Sequence, residues 1–410
     1  MKFICDFHIH SKYSRATSKD MCIQSLSRWA KIKGIDLLGT GDFTYRAWLD
    51  ELKNELDEIG HGLFMHDGVY YILTAEVCNI YFKAGRTRKV HNIIFAPDFK
   101  TVDEINKALD SFGDLNADGR PILSLDSKEL VAILAKIRPD VFIVPAHAWT
   151  PHFSVFGSNS GFDSLEDCFE EQTDKVFAIE TGLSSDPAMN WRLKGLDKVA
   201  LISNSDSHSP SKIGREANVF SEKFSYGELV EILKTKDKNR FLFTVEFFPE
   251  EGKYHWDGHR FCKTRLSPQE SMRLNGICPK CSKKVTVGVM NRVERLADRP
   301  EGYVLENAPG FKHMIPLAEI VADALDVGVD SVAVCREYNL LINRFGKEFD
   351  ILFDIPEDEL LSNCHPRIAQ GVLNVRKGKV EVLPGYDGEY GKINVFTGSE
   401  DEKEKQLTFF

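Results

Sequence analysis

The sequence lacks the features of a membrane or secreted protein. No apolar run approaches the roughly 18 residues that are needed to span a bilayer. The first residues, MKFICDFHIH, lack the longer apolar core and small-residue cleavage site of a secretory signal. We therefore expect a cytoplasmic, intracellular protein without a membrane partner. A chain of 410 residues is long enough for two or three domains.

Cysteine pairs and excess positive charge are also missing. Nine cysteines are an odd number, and in an intracellular chain they are more often free thiols or metal ligands than disulfides. The net charge of −10 argues weakly against nucleic-acid binding, but the charge is distributed unevenly. Residues 253–299 hold eleven Lys or Arg against four Asp or Glu, a balance of +7 that leaves −17 for the remainder. The basic segment is a candidate contact for phosphates.

Residues 1–245 show an alternation of short apolar runs and amphipathic stretches. Such an alternation predicts an α/β fold with parallel strands and helical crossovers, either a barrel or an open doubly wound sheet. The buried strands are predicted at KFICDF, DLLGTG, VYYILTAE, HNIIFAP, DVFIVPAH, KVFAIETG and VALISNSD.

Potential metal ligands follow six of these strands. His8 and His10 are two positions apart, so both side chains point to one face at the end of the first strand. In a (β/α) barrel the C-terminal rim of the strands is where active sites are built. His91 is the exception, because it begins its strand. The candidate ligands are His8, His10, Asp42, Glu76, His91, His147, Glu180, Asp206 and His208.

The chemistry of these ligands favours Zn²⁺, Mn²⁺ or Fe²⁺ over Ca²⁺, which prefers oxygen ligands throughout. Nine candidates are too many for one ion, so we expect two or three. Glu76 is the natural bridge, since a carboxylate can bind two metals with its two oxygens. Ions about 3.5–4 Å apart clamp a phosphoryl group and activate water at neutral pH. The pattern predicts metal-assisted hydrolysis of a phosphate ester.

A second metal site is predicted in the basic segment, residues 246–300. Its pattern is H-x2-C-x15-C-x2-C, close to a structural zinc ribbon. The expected ligands are His259, Cys262, Cys278 and Cys281, with His255 as a rival for His259. Four protein ligands leave no open position, so this zinc would fold the segment and not catalyse.

Basic residues supply the predicted contacts to phosphates of a polyanion. They surround the zinc site, form a loop just before His91, and include one arginine after a rim strand. The residues are Arg86, Arg88, Lys89, Arg192, Arg260, Lys263, Lys283 and Lys284. Residues 301–410 are mainly helical in pattern and close with short extended pieces, and we expect this region to add to binding of the same polyanion.

The order of the motifs resembles the PHP (polymerase and histidinol phosphatase) superfamily over residues 1–245. The resemblance implies a distorted (β/α)7 barrel with a trinuclear metal centre, in which His8, His10, Glu76 and Asp206 would be the catalytic ligands of one ion. A second ion would be held by Glu76, His91 and His147, and a third by Asp42 and His208. Glu180 lies near a position that varies in the superfamily.

Two positions depart from that superfamily. The usual Thr-Asp-His after the second strand is Thr40-Gly41-Asp42, so a carboxylate stands where a histidine is common. An acidic or histidine ligand often follows the His-x-His pair by a few residues, but here the stretch is Ser14-Arg15-Ala16. Both departures lie at positions that would supply ligands to the third ion.

The whole chain resembles the endonuclease Q family, through YHWDGHRFC…CPKC, the helical region that follows, and PGYDGEYGKI. The resemblance implies a DNA repair endonuclease that flips the damaged nucleotide. It would cut 5′ to uracil, hypoxanthine, xanthine or an abasic site and leave 3′-hydroxyl and 5′-phosphate ends. Expected cofactors are two or three divalent ions (Zn, Mn or Mg) and one structural zinc. Expected partners are single- or double-stranded DNA with a damaged base, with a replication sliding clamp as a further candidate.

Two other functions remain open from the sequence. One is a small-molecule phosphatase on the same barrel, which would give no reason for a basic zinc segment. The other is a DNA-damage sensor without catalysis, which Arg15 and Asp42 suggest through a degraded metal site.

Overall fold

The structure is a computed structural model, and it describes residues 2–396. The last part of the predicted C-terminal region, residues 397–410, lies outside the described residues. Within the described residues, no helix is both long and apolar enough to cross a membrane.

The strands are β1 Phe3–Asp6, β2 Leu37–Gly39, β3 Asp57–Gly60, β4 Leu63–His66, β5 Val69–Lys83, β6 Arg86–Ala96, β7 Ile122–Leu123, β8 Phe142–Pro145, β9 Ala178–Glu180, β10 Ala200–Ile202, β11 Ala217–Phe220, β12 Phe241–Glu246, β13 Asp257–His259, β14 Thr264–Leu266, β15 Gly310–His313, β16 Glu381–Leu383 and β17 Lys392–Asn394.

The helices are α1 Ile23–Lys33, α2 Arg46–Glu55, α3 Phe99–Leu109, α4 Ser127–Ile137, α5 Leu165–Phe169, α6 Pro187–Asn190, α7 Tyr226–Thr235, α8 Pro268–Arg273, α9 Val289–Leu296, α10 Leu317–Leu325, α11 Val332–Phe345, α12 Glu348–Phe353, α13 Glu357–Asn363 and α14 Pro366–Arg376.

The central sheet confirms the α/β class with a distorted barrel. All seven predicted strands are present as β1, β2, β5, β6, β8, β9 and β10. The sheet has the order β15-β12-β11-β1-β2-β5-β4-β3, with β6 and β7 also paired to β5 and with β8 paired to β6. The β9–β10 pair is parallel and lies beside β8. Helices α1, α3 and α4 cover the sheet and bury apolar stripes against it.

The strands are not all parallel, which corrects the simplest expectation from the alternating pattern. β1, β2 and β5 run parallel, but β6 turns back along β5 and β8 runs antiparallel to β6. Residues Ala84 and Gly85 form the two-residue loop between β5 and β6, and their φ angles of 52° and 78° are both positive. Such a loop matches the twist of a hairpin and fixes its register.

The predicted zinc segment and the helical region both contact the barrel. β13 and β14 form a small hairpin whose own core is limited to a few residues around Leu266, Cys278 and Val285. Helices α10 to α14 follow. Strand β15 adds to the edge of the barrel sheet and pairs in parallel with β12. The boundaries 1–245, 246–300 and 301–410 stay a prediction.

Arginines fasten the zinc segment to the barrel. Arg292 donates hydrogen bonds to the carbonyl of Phe156 and pairs with Asp163 at 2.6 Å. Arg299 pairs with Asp197 at 2.5 Å. The positive charge of this segment is thus partly used in folding.

A buried ion pair joins α1 of the barrel to the helical region. Lys33 Nζ lies 3.0 Å from Glu348 Oε2, and both side chains are nearly inaccessible to solvent. Glu348 also accepts hydrogen bonds from the Tyr338 hydroxyl at 2.6 Å and from the Leu317 backbone N–H at 3.0 Å. A buried pair of this kind is retained only when its remaining hydrogen-bonding capacity is satisfied.

Removal of this carboxylate is expected to destabilise the protein strongly. Glu348→Ala leaves the Lys33 ammonium buried without its partner, so the free energy of unfolding should fall by ~3–5 kcal/mol. The matched control is Glu357→Ala, which breaks the exposed pair with Lys377 and should cost ~0–1 kcal/mol. Denaturant titration followed by tryptophan fluorescence measures both. Equal effects of the two substitutions would contradict the assigned role.

Candidate metal centre

Four predicted ligands from three strands meet at one rim of the barrel. His8 and His10 follow β1, Glu76 lies within β5, and Asp206 follows β10. One ligand atom from each residue lies within 4.8 Å of the others. His10 Nε2 is 3.2 Å from Glu76 Oε2 and 3.1 Å from Asp206 Oδ1. His8 Nε2 is 3.5 Å from the same Glu76 oxygen.

A second group uses the other oxygen of Glu76. His91 Nδ1 lies 2.7 Å and His147 Nε2 lies 3.1 Å from Glu76 Oε1. Contrary to the expectation from the sequence, His91 does not begin its strand, because β6 starts five residues earlier at Arg86. The antiparallel register pairs His91 with Cys78, so the middle of β6 lies at the same rim as the middle of β5. The structure therefore places Glu76 between two groups of candidate ligands.

The donor set fits divalent ions. Four side-chain atoms of the predicted ligands are buried and have no hydrogen-bond partner: His8 Nε2, His10 Nε2, His147 Nδ1 and Asp206 Oδ1. Three of these atoms, all except His147 Nδ1, converge on one another and on Glu76. Buried polar atoms normally have partners, and imidazole nitrogens that face carboxylate oxygens without hydrogen-bond geometry are typical of a site that binds a cation.

Asp42 and Glu180 occupy a different position from the one expected of ligands. Asp42 Oδ1 faces His10 Nδ1 at 3.0 Å, and Glu180 Oε1 faces His8 Nδ1 at 3.0 Å. Both carboxylates are therefore behind the rings, on the side away from Glu76. Carboxylates in this place fix the tautomer and the orientation of a metal-binding imidazole.

Other hydrogen bonds hold these two carboxylates in place. Asp42 Oδ2 accepts from the backbone N–H and the hydroxyl of Ser11 and from the Ser14 hydroxyl. Glu180 accepts from the His147 backbone N–H at 2.7 Å and from the Asn204 amide at 2.9 Å. Their oxygens are thus occupied by protein donors.

His208 lies at the exposed edge of the centre. Its Nδ1 donates a hydrogen bond to the Asp206 carbonyl at 2.9 Å, and its ring is 4.6 Å from the ring of His10. It belongs to neither group of converging ligand atoms. Its role as a ligand stays a prediction.

Unusual backbone conformations aim side chains into the rim. Asp42, His147 and Asp206 each follow a strand, and their φ angles are 50°, 32° and 46°. Non-glycine residues rarely adopt this region, and such strain clusters at functional sites. Gly182, at φ 64°, lies so close to His147 that a Cβ atom there would be 2.6 Å from the His147 Cβ.

The electrostatics of the centre favour binding of cations. Burial disfavours the ionised form of Glu76, but His91 and Arg120 outweigh it and lower the pKa of Glu76 well below its usual value. Burial lowers the pKa of His91 to about 4, so this imidazole is neutral at pH 7 and can offer a lone pair. Glu76 is therefore ionised and His91 offers a neutral imidazole. Burial opposes protonation of His8 and His10, but the surrounding carboxylates raise the pKa of both rings well above the usual value, so a cation there would displace a proton.

Arg120 was not found from the sequence. Its guanidinium Nη1 lies 3.2 Å from Glu76 Oε2, and its side chain is partly exposed at the mouth of the centre. The preceding Gly119 packs so tightly that a Cβ there would be 2.4 Å from Asp42 Oδ2. Arg120 lies in the long loop before the two-residue strand β7. In the sequence, the only sign of that strand is the short apolar run PIL that follows Arg120.

The structure brings the four predicted zinc ligands together. His259, Cys262, Cys278 and Cys281 have ligand atoms within 4.8 Å of one another. His255 is buried elsewhere and is outside this group. Burial opposes ionisation of Cys278, but the Thr264 hydroxyl and backbone N–H groups lower the pKa of its thiol to about 6. These donors fit a tetrahedral zinc in a segment with little core of its own.

The predicted DNA contacts divide into exposed and internal residues. Arg260, Lys263, Lys283 and Lys284 are exposed around the zinc site. Arg88 is buried instead, where it donates to the Gly161 carbonyl and lies 4.0 Å from the centre of the Phe162 ring.

Arg192 is also internal, which corrects its expected place in a DNA contact. It pairs with Glu294 at 2.6 Å, between the barrel and the zinc segment. Arg86 is exposed but donates to Gly161, and Lys89 is half-buried over the Phe153 ring.

The barrel and the rim of histidines and carboxylates together fit a metal-dependent phosphodiesterase. Residues 316–379 match the family model described as the MJ0043 C-terminal domain. The chain is 34% identical over 253 residues to the uncharacterized protein MJ0043 of Methanocaldococcus jannaschii. The aligned region covers 60% of this chain and 31% of that protein. The chain thus spans about a third of the length of that relative.

Two solved structures resemble the chain along almost all of its length. The lesion-specific endonuclease PfuEndoQ from Pyrococcus furiosus has 31% sequence identity and a TM-score of 0.87, covering 98% of this chain and 99% of that one. An endonuclease Q complex with a 27-mer duplex substrate, with an abasic lesion at the active site, has 33% identity and a TM-score of 0.85 over 96% of both chains. The chain belongs to the endonuclease Q family.

Metal-binding variants should separate ligands from the residues that orient them. Asp42→Asn keeps every converging ligand atom but weakens the hold on His10, so we expect the same number of bound ions with ~10–100-fold lower affinity. Glu76→Gln removes a ligand shared by both groups and should lower the number of ions bound. Calorimetric titration with Mn²⁺ and metal analysis measure affinity and number.

Asp67→Asn is the matched control, because Asp67 is exposed and pairs with Lys31 away from the rim. It should bind ions like the parent chain. If Asp42→Asn instead loses one ion and leaves the affinity of the others unchanged, Asp42 is itself a ligand.

Proposed function

We propose that this protein is a DNA repair endonuclease that hydrolyses the phosphodiester on the 5′ side of a damaged nucleotide. The lesions would be uracil, hypoxanthine, xanthine and abasic sites, and the products would carry 3′-hydroxyl and 5′-phosphate ends. The observation that carries the proposal is the division of Glu76 between two ligand groups, with one oxygen facing each. Its relatives with solved structures are described as lesion-specific endonucleases or as bound to lesion-bearing duplex.

The residues named above would hold two divalent ions. One would be bound by His8, His10, Glu76 and Asp206, and the other by Glu76, His91 and His147. Such a pair of ions supplies activated water and neutralises charge on the attacking and leaving oxygens of a phosphate ester. Asp42 and Glu180 would act as positioning residues, because each fixes the far nitrogen of a ligand ring.

Arg120 is suited to bind the phosphate that is cut. It is a cation at the mouth of the centre and already contacts the shared carboxylate. A planar guanidinium can bind two phosphate oxygens at once. In the transition state of phosphate-ester hydrolysis, negative charge is spread over the equatorial oxygens of the phosphate. The Arg120 guanidinium would stabilise that charge and orient the ester.

DNA binding outside the centre would use the exposed cations around the zinc site, Arg260, Lys263, Lys283 and Lys284. The zinc would act by folding this segment, and the arginine pairs with Asp163 and Asp197 fasten it to the barrel. We expect the damaged nucleotide to rotate out of the stack and so bring the phosphate on its 5′ side onto the centre, at a cost that is lowest for damaged or mispaired bases. Contact with a sliding clamp stays a prediction.

The decisive experiment uses labelled duplexes with one deoxyuridine, one abasic site or no lesion. We expect a single cut at the 5′ side of the lesion in the presence of Mg²⁺, Mn²⁺ or Zn²⁺, and none in the undamaged duplex. Asp206→Ala should lose cutting but keep binding, because it removes a ligand and leaves the basic surface intact. Asp67→Asn should cut normally.

Other results would point to other functions. Binding without cutting by the parent chain would identify a damage sensor. Hydrolysis of nitrophenyl phosphate without cutting of any duplex would identify a small-molecule phosphatase. Normal cutting by Asp206→Ala would overturn the assignment of the ligands.

Arg120→Met tests the proposed phosphate contact. The substitution keeps the length of the side chain but removes the donors, so kcat should fall by ~10²–10³-fold with little change in the number of bound ions. Arg120→Lys should recover only part of the loss, and added guanidinium should partly rescue Arg120→Ala. Arg46→Met, at an exposed arginine on α2, is the control and should leave kcat unchanged. A fall in bound ions in Arg120→Met would show that Arg120 shapes the metal site instead.

A further inference from the structure

One face of the β5–β6 hairpin leads away from the metal centre and remains uncovered. Side chains two residues apart on a strand share a face, and paired residues on neighbouring strands share it too. The pairs Cys78↔His91, Ile80↔Lys89 and Phe82↔Thr87 therefore continue the face that carries Glu76. We call this row, together with Ile122 of β7, which pairs with Cys78, the hairpin strip.

The hairpin strip becomes more exposed with distance from the centre. Cys78 is buried beside the ligands and Ile80 is half-buried, whereas the Phe82 side chain is 73% exposed. Ile122 is 58% exposed at the edge of the strip. The seven residues from Glu76 to Phe82, six steps along the strand, span ~20 Å. A row of exposed apolar side chains that begins at a catalytic centre indicates a binding surface.

The opposite face of the same hairpin is packed against the barrel. Tyr81 stacks on Phe162, Lys83 pairs with Glu170 at 2.7 Å, and Arg88 is buried over Phe162. The exposure of Phe82 is therefore specific to the strip and is not a property of a loosely attached loop.

The charges beside the strip are positive. Lys89 lies on it, with its ammonium 5.1 Å from the centre of the Phe153 ring, and Arg120 precedes Ile122 by two residues at its inner end. Backbone groups along the margin are already used, since the His91 N–H donates to the Phe153 carbonyl and the Ser160 hydroxyl donates to the Lys89 carbonyl. A partner strand of polypeptide would need those backbone groups. On this margin of β6, side chains are therefore the groups available for recognition.

We propose that the hairpin strip binds the DNA strand on one side of the phosphate that is cut. A base would stack on the Phe82 ring, the apolar Ile122 side chain would pack against another base, and Lys89 would contact a phosphate. Aromatic side chains beside a cation are the combination by which proteins bind unpaired nucleotides without reading their sequence. This proposal rests on the proposed function, because the strip ends at the metal centre.

The test measures binding in the Asp206→Ala background, where binding is expected without cutting. Fluorescence anisotropy is recorded with a duplex that carries one abasic site. It is also recorded with two shorter duplexes, one that keeps two nucleotides on the 5′ side of the lesion and one that keeps two nucleotides on the 3′ side. Phe82→Ala should weaken binding of the full duplex by ~5–30-fold, and should have no effect on the duplex that lacks the nucleotides facing the strip. Phe82→Trp should bind like the parent, because it keeps the stacking surface.

The charged contact is tested by salt dependence. Lys89→Ala should reduce the slope of log affinity against log salt by about one. Lys107→Ala, at an exposed lysine on α3, is the matched control and should leave the slope unchanged. Equal binding of every duplex by the parent and by Phe82→Ala overturns the hairpin strip while leaving the nuclease intact. Failure of the parent chain to bind or cut any lesion duplex overturns both proposals.

Discussion

The two oxygens of Glu76 are the constraint on which the rest of the centre depends. Each oxygen faces a different group of ligands, so the residues that supply those groups must approach from opposite sides of one carboxylate. The hairpin register meets this demand, because it sets His91 beside Cys78 at the level of the rim. His8, His10 and Asp206 then approach from β1 and β10. Asp6, at the end of β1, accepts from the backbone N–H groups of Ser205 and Gly214 and so ties these two strand ends together.

Much of this arrangement could be predicted from the sequence, because a strand that ends in a ligand is a local pattern. The strand ends at His8, His147 and Asp206 are such cases, whereas β5 continues for seven residues beyond Glu76, so the strand end expected there was wrong. The direction of β6 was not visible locally, since His91 and a rim position are related only through the turn at Ala84 and Gly85. The position of Asp42 behind the His10 ring could not be predicted either, because these two residues are far apart in the chain and meet only in the folded protein. A sequence places a carboxylate near a rim, but it does not tell which nitrogen of a histidine the carboxylate faces.

Predicting DNA contacts from positive charge alone failed for residues whose charge is bound by other groups inside the protein. Arg88 and Arg192 are cations in a sequence, but in the structure Arg88 binds a backbone carbonyl and Arg192 binds Glu294. Arg120 was overlooked for the opposite reason, because a single arginine in a polar loop has no pattern around it. The zinc segment was easier to predict, since its four ligands have a fixed spacing and its small hairpin has little core without them.

The pairing of β15 with β12 has a consequence for how the chain is made. Strand β12 follows directly from the barrel, but its outer edge is covered by residues about 65 positions further along the chain. During synthesis, the barrel sheet therefore leaves the ribosome with an open edge, and an uncovered edge strand is a template for association with other chains. The nascent protein remains exposed to aggregation until residues 310–313 have emerged, so truncation before that point would be expected to reduce yield more than it reduces the intrinsic folding of the barrel.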